Sequence, residues 1–148
     1  MIYRKAIPDD AKQCIDIRGK TRQNALSVEQ LATFGITYES WAQGILEGDF
    51  YGYICEIDGL MAGYCFGDTK SGEILVLVVL PQFENLGLGR ELLNRVVIFL
   101  KNKKFNKLFL YCSPYPESRS YGFYRRLGWL STGKIDNDEE LLELFFTQ

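Results

Sequence analysis

One segment near the middle of the chain restricts the possible folds more than any other. Residues 74–80 form a continuous run of apolar, largely β-branched side chains that ends at Pro81. Such a run is typical of a strand that is covered on both faces of a sheet. From Gly87 onward the apolar residues recur at helical spacing, which predicts a helix. The chain must therefore place an inner strand, a glycine-containing loop and an amphipathic helix in direct succession.

The segments on either side predict a single α+β domain over residues 1–148, with about seven strands and four to five helices. The pair Asp58-Gly59 between two apolar runs indicates a hairpin, and Ser27 and Thr37 are suited to cap short helices. The last predicted strand covers Leu141 to Thr147. The predicted order is one strand, two or three helices, three antiparallel strands, a helix, a strand, a helix and two strands. This order predicts a mixed, mostly antiparallel central sheet.

Composition and charge argue against several classes of protein. The chain contains no histidine, which excludes Ser-His and Cys-His catalysis and disfavours a zinc site, so we expect no metal. A net charge of -2 and a pI near 5.2 disfavour nucleic acid as a partner. No apolar run approaches the ~20 residues of a membrane span, so we expect no membrane partner. The N-terminus lacks the apolar core of a signal peptide, and we therefore expect a cytoplasmic protein.

The chain has four cysteines and no Cys-x-x-Cys pair: Cys14, Cys55, Cys65 and Cys112. A two-residue turn at Asp58-Gly59 predicts that Ala62 lies opposite Cys55. The same register places Gly52 opposite Cys65, so these two cysteines do not face each other. We therefore predict reduced, half-buried thiols.

Residues 84–90 carry the pattern with the clearest chemical meaning. Main-chain amides at the start of a helix are unpaired, and the helix dipole adds about half a positive charge there. Gly87 and Gly89 lack side chains, so a pyrophosphate group can approach the main chain closely. The lysine of a Walker-A loop and the third glycine of a dinucleotide fingerprint are both absent. The pattern predicts an anion-binding loop that acts through its main chain.

Two motifs resemble those of the GNAT superfamily of N-acetyltransferases. Residues 84–89 match both glycines of the motif Gln/Arg-x-x-Gly-x-Gly/Ala, with Glu84 at its first position. Residues 119–129 are similar to the motif Arg-Ala-x-x-Phe-Tyr-x-x-Leu-Gly-Phe/Trp. Many relatives have an asparagine seven residues before the tyrosine, where this chain has Glu117. The resemblance covers essentially the whole chain and implies the GNAT fold and transfer of an acetyl group from acetyl-coenzyme A to an amine.

The resemblance also implies which main-chain groups bind the coenzyme. The strand segment of Leu77, Val78 and Val79 is expected to bulge and to splay from the next strand, which frees amides and carbonyls for the pantetheine arm. One of those amides would also polarise the thioester oxygen. The anion-binding loop is expected to contribute Asn85, Leu86, Gly87, Leu88, Gly89 and Arg90.

Two further residues are candidates for the catalytic steps. Tyr124 lies beside the coenzyme sulfur in relatives, and we interpret it as the acid that protonates the thiolate, since a thiol has a pKa of about 8.5 and tyrosine about 10. Its alternative role is that of a core tyrosine whose hydroxyl caps a main-chain group. Glu73 aligns with a strand glutamate that some relatives use as a base. Its alternative role is that of a solvated turn residue next to Gly72.

The acceptor site is expected between the early helices and the loop before the last strand. The candidate ligands on the helical side are Arg22, Asn24 and Tyr38, with Arg18, Phe34 and Trp41 nearby. An acidic loop over residues 136–140 would attract a cationic amine, whereas Arg18 and Arg22 would equally suit a carboxylate. The acceptor is therefore predicted only as a primary amine of a small metabolite or peptide.

Two functions of different classes are compatible with these motifs. The first is an N-acetyltransferase that works by direct transfer, and the second is a non-catalytic module that binds acyl-coenzyme A. Tyr124 favours the first, because a binding module needs no acid at the sulfur. The substitution of Glu84 in the first motif supports the second. A homodimer is left open as the assembly.

Overall fold

The computed structural model describes residues 1–146 and shows two antiparallel sheets flanked by five α-helices. The strands are β1 (Ile2–Lys5), β2 (Phe50–Ile57), β3 (Leu60–Asp68), β4 (Ile74–Val79), β5 (Lys107–Cys112), β6 (Leu130–Asp136) and β7 (Glu139–Phe145). The helices are α1 (Ala11–Ile17), α2 (Val28–Thr33), α3 (Tyr38–Glu47), α4 (Leu88–Lys101) and α5 (Arg119–Arg126). The strand order is β1-β2-β3-β4 in one sheet and β5-β7-β6 in the other. The predicted α+β class, element order and approximate number of elements are confirmed.

The helix boundaries follow the capping residues that were predicted from the sequence. Ser27 Oγ accepts a hydrogen bond from the main-chain N–H of Gln30 at 3.1 Å, and Thr37 Oγ1 accepts one from Ser40 at 3.0 Å. The first helix differs, because 3-10 turns over Pro8–Asp10 and Arg18–Lys20 flank α1. Short 3-10 turns are common at helix ends. The predicted end of the last strand, Thr147, lies outside the described residues.

Each face of the first sheet is covered by a different set of helices. On one face, α4 packs Leu92, Val96 and Leu100 into a core that extends to the second sheet. On the other face, α1–α3 pack against Ile54 and Phe66. Full burial of one such side chain contributes about 1.5–3 kcal/mol, so both layers stabilise the sheet strongly. Among residues 1–146, no helix combines the length and the apolarity that crossing a membrane requires.

The four cysteines are free, as predicted, but they are buried rather than half-buried. The predicted hairpin register is wrong by one residue, because a β-bulge lies between Cys55 and Glu56. Cys55 therefore pairs with Gly63, and Cys65 pairs with Tyr53. A bulge adds one residue to one strand, which a turn signal alone does not reveal.

The two sheets meet where β4 and β5 start side by side. Glu73 and Phe109 form a parallel bridge, and the N–H of Phe109 donates to the carbonyl of Gly72 at 3.2 Å. From there the two strands separate, so the edge of β4 that faces β5 is left without strand pairing along residues 74–79. The expected splay is therefore present. The irregularity of β4 lies opposite Gly67, at Leu75, because residues 76–79 pair with β3 in regular register.

Candidate active site

A cavity of about 740 Å³ occupies the gap between the separating strands. Its walls are formed by Arg18 and residues 21–24 after α1, by β4, by the loop and first turn of α4, by the end of β5 and by α5. Glu139, the first residue of β7, completes the wall. This volume lies within the usual range of about 300–1,000 Å³ for small-molecule sites. Segments from both sheets are therefore needed to build it.

The loop before α4 presents its main chain to this cavity. Asn85 and Gly87 have positive φ angles of 66° and 85°, which turn the chain sharply into the helix. Gly87 occupies the N-cap position, and no side chain in residues 1–146 caps the helix start. The first amides of a helix have no intrahelical acceptor, so these N–H groups remain available to an anion.

Gly89 lies in the cavity wall at the first turn of α4. A Cβ atom at Gly89 would point toward Phe123 at 3.5 Å and toward Val79 at 3.8 Å. These are ordinary van der Waals distances, so a methyl group would fit the protein alone and would fill part of the cavity. The loop therefore fits a pyrophosphate group in both shape and charge.

Glu84, which departs from the family motif, joins two arginines beside this loop. Its Oε1 lies 3.0 Å from Arg22 Nε and 3.2 Å from Arg119 Nη1, and its side chain is only 11% exposed. The main-chain N–H of Arg119 also donates to Gln23 Oε1 at 3.2 Å. These contacts hold the segment after α1 against the loop and α5. The cluster of one carboxylate and two guanidinium groups keeps a net positive charge next to the anion-binding amides.

Tyr124 lines the same cavity from α5. Its ring packs edge-on against Phe123 and Trp129, with centroid distances of 5.1 and 6.1 Å. No hydrogen bond to its hydroxyl is formed by residues 1–146, and the hydroxyl oxygen is not among the fully buried atoms without a partner, so it is accessible from the cavity. Burial raises the pKa of Tyr124, and the Cys65 and Cys112 thiols raise it further, so the phenol stays protonated and can act as a donor.

Two glutamates lie beside the gap: Glu73 at its closed end, where it forms the bridge with Phe109, and Glu139 beside the end of β5. Glu73 is half-buried, and burial raises the pKa of its carboxyl, with smaller contributions from Asp68 and Glu139. Its side chain is not part of the cavity wall, whereas the next residue, Ile74, is. Glu139 does line the cavity. The site therefore contains one carboxylate at the wall and a second, less solvated one behind it.

The Acetyltransferase (GNAT) family model matches residues 16–129, which is most of the chain. The chain belongs to the GNAT family. It is thus an acyltransferase by class, and the family predicted from the two motifs is confirmed.

Solved structures share the GNAT fold over nearly their whole length. The PaiA N-acetyltransferase of Thermoplasma acidophilum, in complex with coenzyme A, has a TM-score of 0.81 at 17% identity and covers 99% of this chain and 100% of its own. The yncA protein of Salmonella typhimurium, with acetyl-coenzyme A, has a TM-score of 0.76 at 16% identity, with coverage of 100% and 95%. A ribosomal-protein-alanine N-acetyltransferase of Brucella melitensis has a TM-score of 0.72 at 16% identity, with coverage of 99% and 100%. No curated protein sequence matches the chain.

Most of the coenzyme-binding residues predicted for this GNAT chain lie at the cavity. The wall includes Leu77, Val78, Val79, Asn85, Gly87, Leu88, Gly89 and Arg90. The exception is Leu86, whose side chain is 55% exposed and lies outside the wall.

The predicted acceptor ligands are divided by the structure. Arg22 and Asn24 line the cavity. Tyr38 does not, because its hydroxyl donates to Asp16 Oδ1 at 2.5 Å, and neither residue belongs to the cavity wall. From the sequence, Glu139 was predicted only as part of an acidic loop. The chain reverses at Asn137, two residues before Glu139, and this turn could have identified Glu139 as a residue of the site.

Proposed function

We propose that the protein transfers an acetyl group from acetyl-coenzyme A directly to a primary amine of a small metabolite or peptide, and that residues 1–148 act as one domain. The observation that carries the proposal is that one cavity joins the free amides before α4 to the unbonded hydroxyl of Tyr124. Acetyl-coenzyme A supplies the activated acetyl group as a thioester. The protein supplies binding, orientation and proton transfer.

Binding of the coenzyme is assigned to main-chain groups at two places. The amides at the start of α4 would hold the pyrophosphate, and Arg22 and Arg119 would add positive charge beside it. The unpaired edge of β4 between Leu77 and Val79 would hydrogen-bond the pantetheine arm in the manner of an added strand. An N–H of this edge would also polarise the reacting carbonyl.

Tyr124 is proposed as the general acid. Its phenol is protonated at neutral pH because burial raises its pKa, and its hydroxyl, which borders the cavity, forms no hydrogen bond with residues 1–146. A thiolate that forms in the same cavity is the natural acceptor for this proton. The geometry therefore supports a reacting site more than a site that only binds.

Glu73 is proposed as the base that receives the amine proton. It would act through a water molecule, because its side chain lies outside the cavity wall. The raised pKa of Glu73 brings its proton affinity closer to that needed for catalysis at neutral pH. Glu139 at the wall would attract the ammonium form of the substrate, and it is the second candidate base.

Thermal unfolding with coenzyme A tests the binding half of this proposal. Ligand at a hundred times its Kd should stabilise the protein by about 2.7 kcal/mol, which raises Tm by several degrees. No shift at millimolar coenzyme A would contradict the assigned site. A second test is thiol release from acetyl-coenzyme A with a broad panel of amines.

The thiol-release panel also separates the enzyme from the alternative module that only binds acyl-coenzyme A. Amine-dependent release of thiol supports the enzyme. Tight coenzyme binding without release for any amine supports the binding module.

Three further expectations stay predictions. They are a cytoplasmic location, the absence of nucleic-acid, membrane and metal partners, and a homodimer as a possible assembly.

A further inference from the structure

Arg18, at the end of α1, differs from the other partly buried arginines of the protein. Its guanidinium lines the cavity, and its Nη1 donates to the main-chain carbonyl of Asn24. It forms no ion pair with any carboxylate in residues 1–146. A half-buried charge that has lost part of its hydration without gaining a counter-ion is costly.

The other half-buried arginines each form an ion pair within the protein. Arg4 pairs with Asp10 at 2.8 Å, Arg125 pairs with Glu140 at 2.7 Å, and Arg95 pairs with Glu91 at 3.4 Å. The counter-ion of each of these arginines is a carboxylate of the protein itself. Arg18 instead faces the space in which a substrate is expected to sit, so its missing partner is expected from the substrate.

The position of Arg18 places this partner at the acceptor end of the cavity. Burial lowers the pKa of Arg18, and interactions with Tyr64 and Glu139 act in the opposite direction. Tyr64 pairs with Val78 of β4, on the sheet face covered by α1–α3, whereas Tyr124 belongs to the core on the opposite face. The phosphate end is already supplied by the amides before α4 and by the arginines on Glu84. Arg18 is thus well placed to bind the acceptor rather than the coenzyme phosphates.

We propose that the acceptor is an amino acid, whose carboxylate binds the unpaired guanidinium of Arg18 and whose ammonium group is attracted by Glu139. A guanidinium presents its N–H groups in a planar fork that matches the two oxygens of a carboxylate. A single carboxylate of the substrate would therefore supply the missing counter-ion. Charges of opposite sign on the cavity wall match the two charges of a zwitterion. The inference rests on the proposed acetyltransferase function and specifies its substrate class.

The first experiment compares three forms of the same acceptor with the wild-type protein. A free amino acid, its carboxamide and its decarboxylated amine are each assayed by thiol release from acetyl-coenzyme A. We expect kcat/KM to be about 10- to 100-fold higher for the free acid, which corresponds to one charge-assisted interaction. The carboxamide is the critical control, because its amine is less basic and chemical reactivity alone would favour it. Equal or greater activity with the carboxamide overturns the inference and leaves the acetyltransferase function intact.

The second experiment removes the guanidinium. Arg18→Gln should abolish the preference for the free acid by raising its KM, while activity on the decarboxylated amine stays within about twofold. Arg18→Lys, which keeps the charge, should recover part of the preference. Lys20→Gln is the matched control, since Lys20 is exposed on the same 3-10 turn and lies outside the cavity wall.

The remaining outcomes are also decisive. If Arg18→Gln weakens coenzyme A binding and leaves the acid-to-amide ratio unchanged, Arg18 serves the coenzyme and the inference is overturned. If Arg18→Gln fails to fold, as judged by its Tm, the three-acceptor comparison with wild type decides alone. If coenzyme A binds and no amine is acetylated, the proposed function itself fails, and the substrate inference falls with it.

Discussion

The two ends of the cavity are built in different ways. The proposed phosphate end is built around seven consecutive residues, 84–90, whose main-chain amides and the dipole of α4 supply positive potential, and Arg22 and Arg119 add charge beside it. The acceptor end is assembled from side chains that are distant in sequence: Arg18 after α1, Glu73 before β4 and Glu139 at the start of β7. One end is a property of a local turn, and the other is a property of the packed fold.

This difference explains why the two ends respond differently to changes in sequence. A main-chain site depends on the turn and on small residues, so the first motif position can hold Glu84 as long as its charge is balanced. Arg22 and Arg119 provide that balance. A side-chain site depends on each residue type, and its selectivity changes with a single substitution. The sequence of the phosphate end should therefore indicate the family, and the side chains of the acceptor end should indicate the substrate.

The largest expected effect lies where the two ends meet. Tyr124→Phe should lower kcat by about ten- to thousandfold, because it removes the proposed general acid. Coenzyme A affinity should stay near that of wild type, since the ring packing against Phe123 and Trp129 is retained. Steady-state kinetics and coenzyme titration measure both quantities. A kcat within about twofold of wild type would assign the proton to water.

A change at the phosphate end should affect binding without altering acceptor choice. Gly89→Val should weaken coenzyme A binding by about 10- to 100-fold, because its methyl groups would extend into the cavity beside the first turn of α4. Gly89→Ala is the matched control and should lose much less affinity for coenzyme A, because its Cβ would lie at ordinary van der Waals distances from its neighbours. Calorimetric titration of the folded variants gives both values. Unchanged affinity in Gly89→Val would place the pyrophosphate elsewhere.

A change at the acceptor end should depend on pH. Glu73→Gln should lower kcat/KM by about tenfold near pH 7, and the deficit should shrink in alkaline buffer, where the amine loses its proton without help. Glu139→Gln should mainly raise KM for the cationic acceptor. Rate profiles against pH for both variants and the wild type test this assignment. If only the Glu139 variant shows a deficit that depends on pH, Glu139 is the base.

The smallest expected effect concerns stability. The pKa of Glu73 is raised above its ordinary value of 4.5, so the folded protein binds this proton more tightly than the unfolded chain. The resulting stabilisation is complete below pH 4.5 and is lost as the pH rises through the native pKa. Glu73→Gln should therefore raise Tm at pH 7 and leave it unchanged near pH 4. The rise should be a few degrees at most, since ~1 kcal/mol shifts Tm by about 2–4 °C in a chain of this size.

The exposed loop residue Glu117 provides the control for this stability measurement. Glu117→Gln removes the same formal charge without altering the gap between the sheets. A lower Tm of Glu73→Gln at pH 7 would contradict the proposed desolvation of Glu73.

Local features of the fold were predictable because each depends on a few neighbouring residues. The caps at Ser27 and Thr37 and the strand before Pro81 were correct. The expectation that this strand is buried on both faces was wrong, because most of its residues border the cavity and only Ile74 and Val78 are buried. The register of the β2–β3 hairpin was wrong, because the bulge after Cys55 is decided by how the sheet packs. The bulge expected at Leu77–Val79 lies at Leu75 for the same reason.

By itself, the sequence determined the order of elements and the glycine-containing turn before α4, because hydrophobic periodicity and turn glycines act over a few residues. The family followed from the resemblance of two motifs, at residues 84–89 and 119–129, to those of the GNAT superfamily. Only the tertiary structure decided that Glu84 joins Arg22 and Arg119, that Tyr38 binds Asp16 outside the cavity, and that Arg18 is left without a counter-ion. The partner of a charge depends on which distant segments the fold brings together and on how much water the fold removes from around the charge. Neither can be predicted from a local sequence pattern.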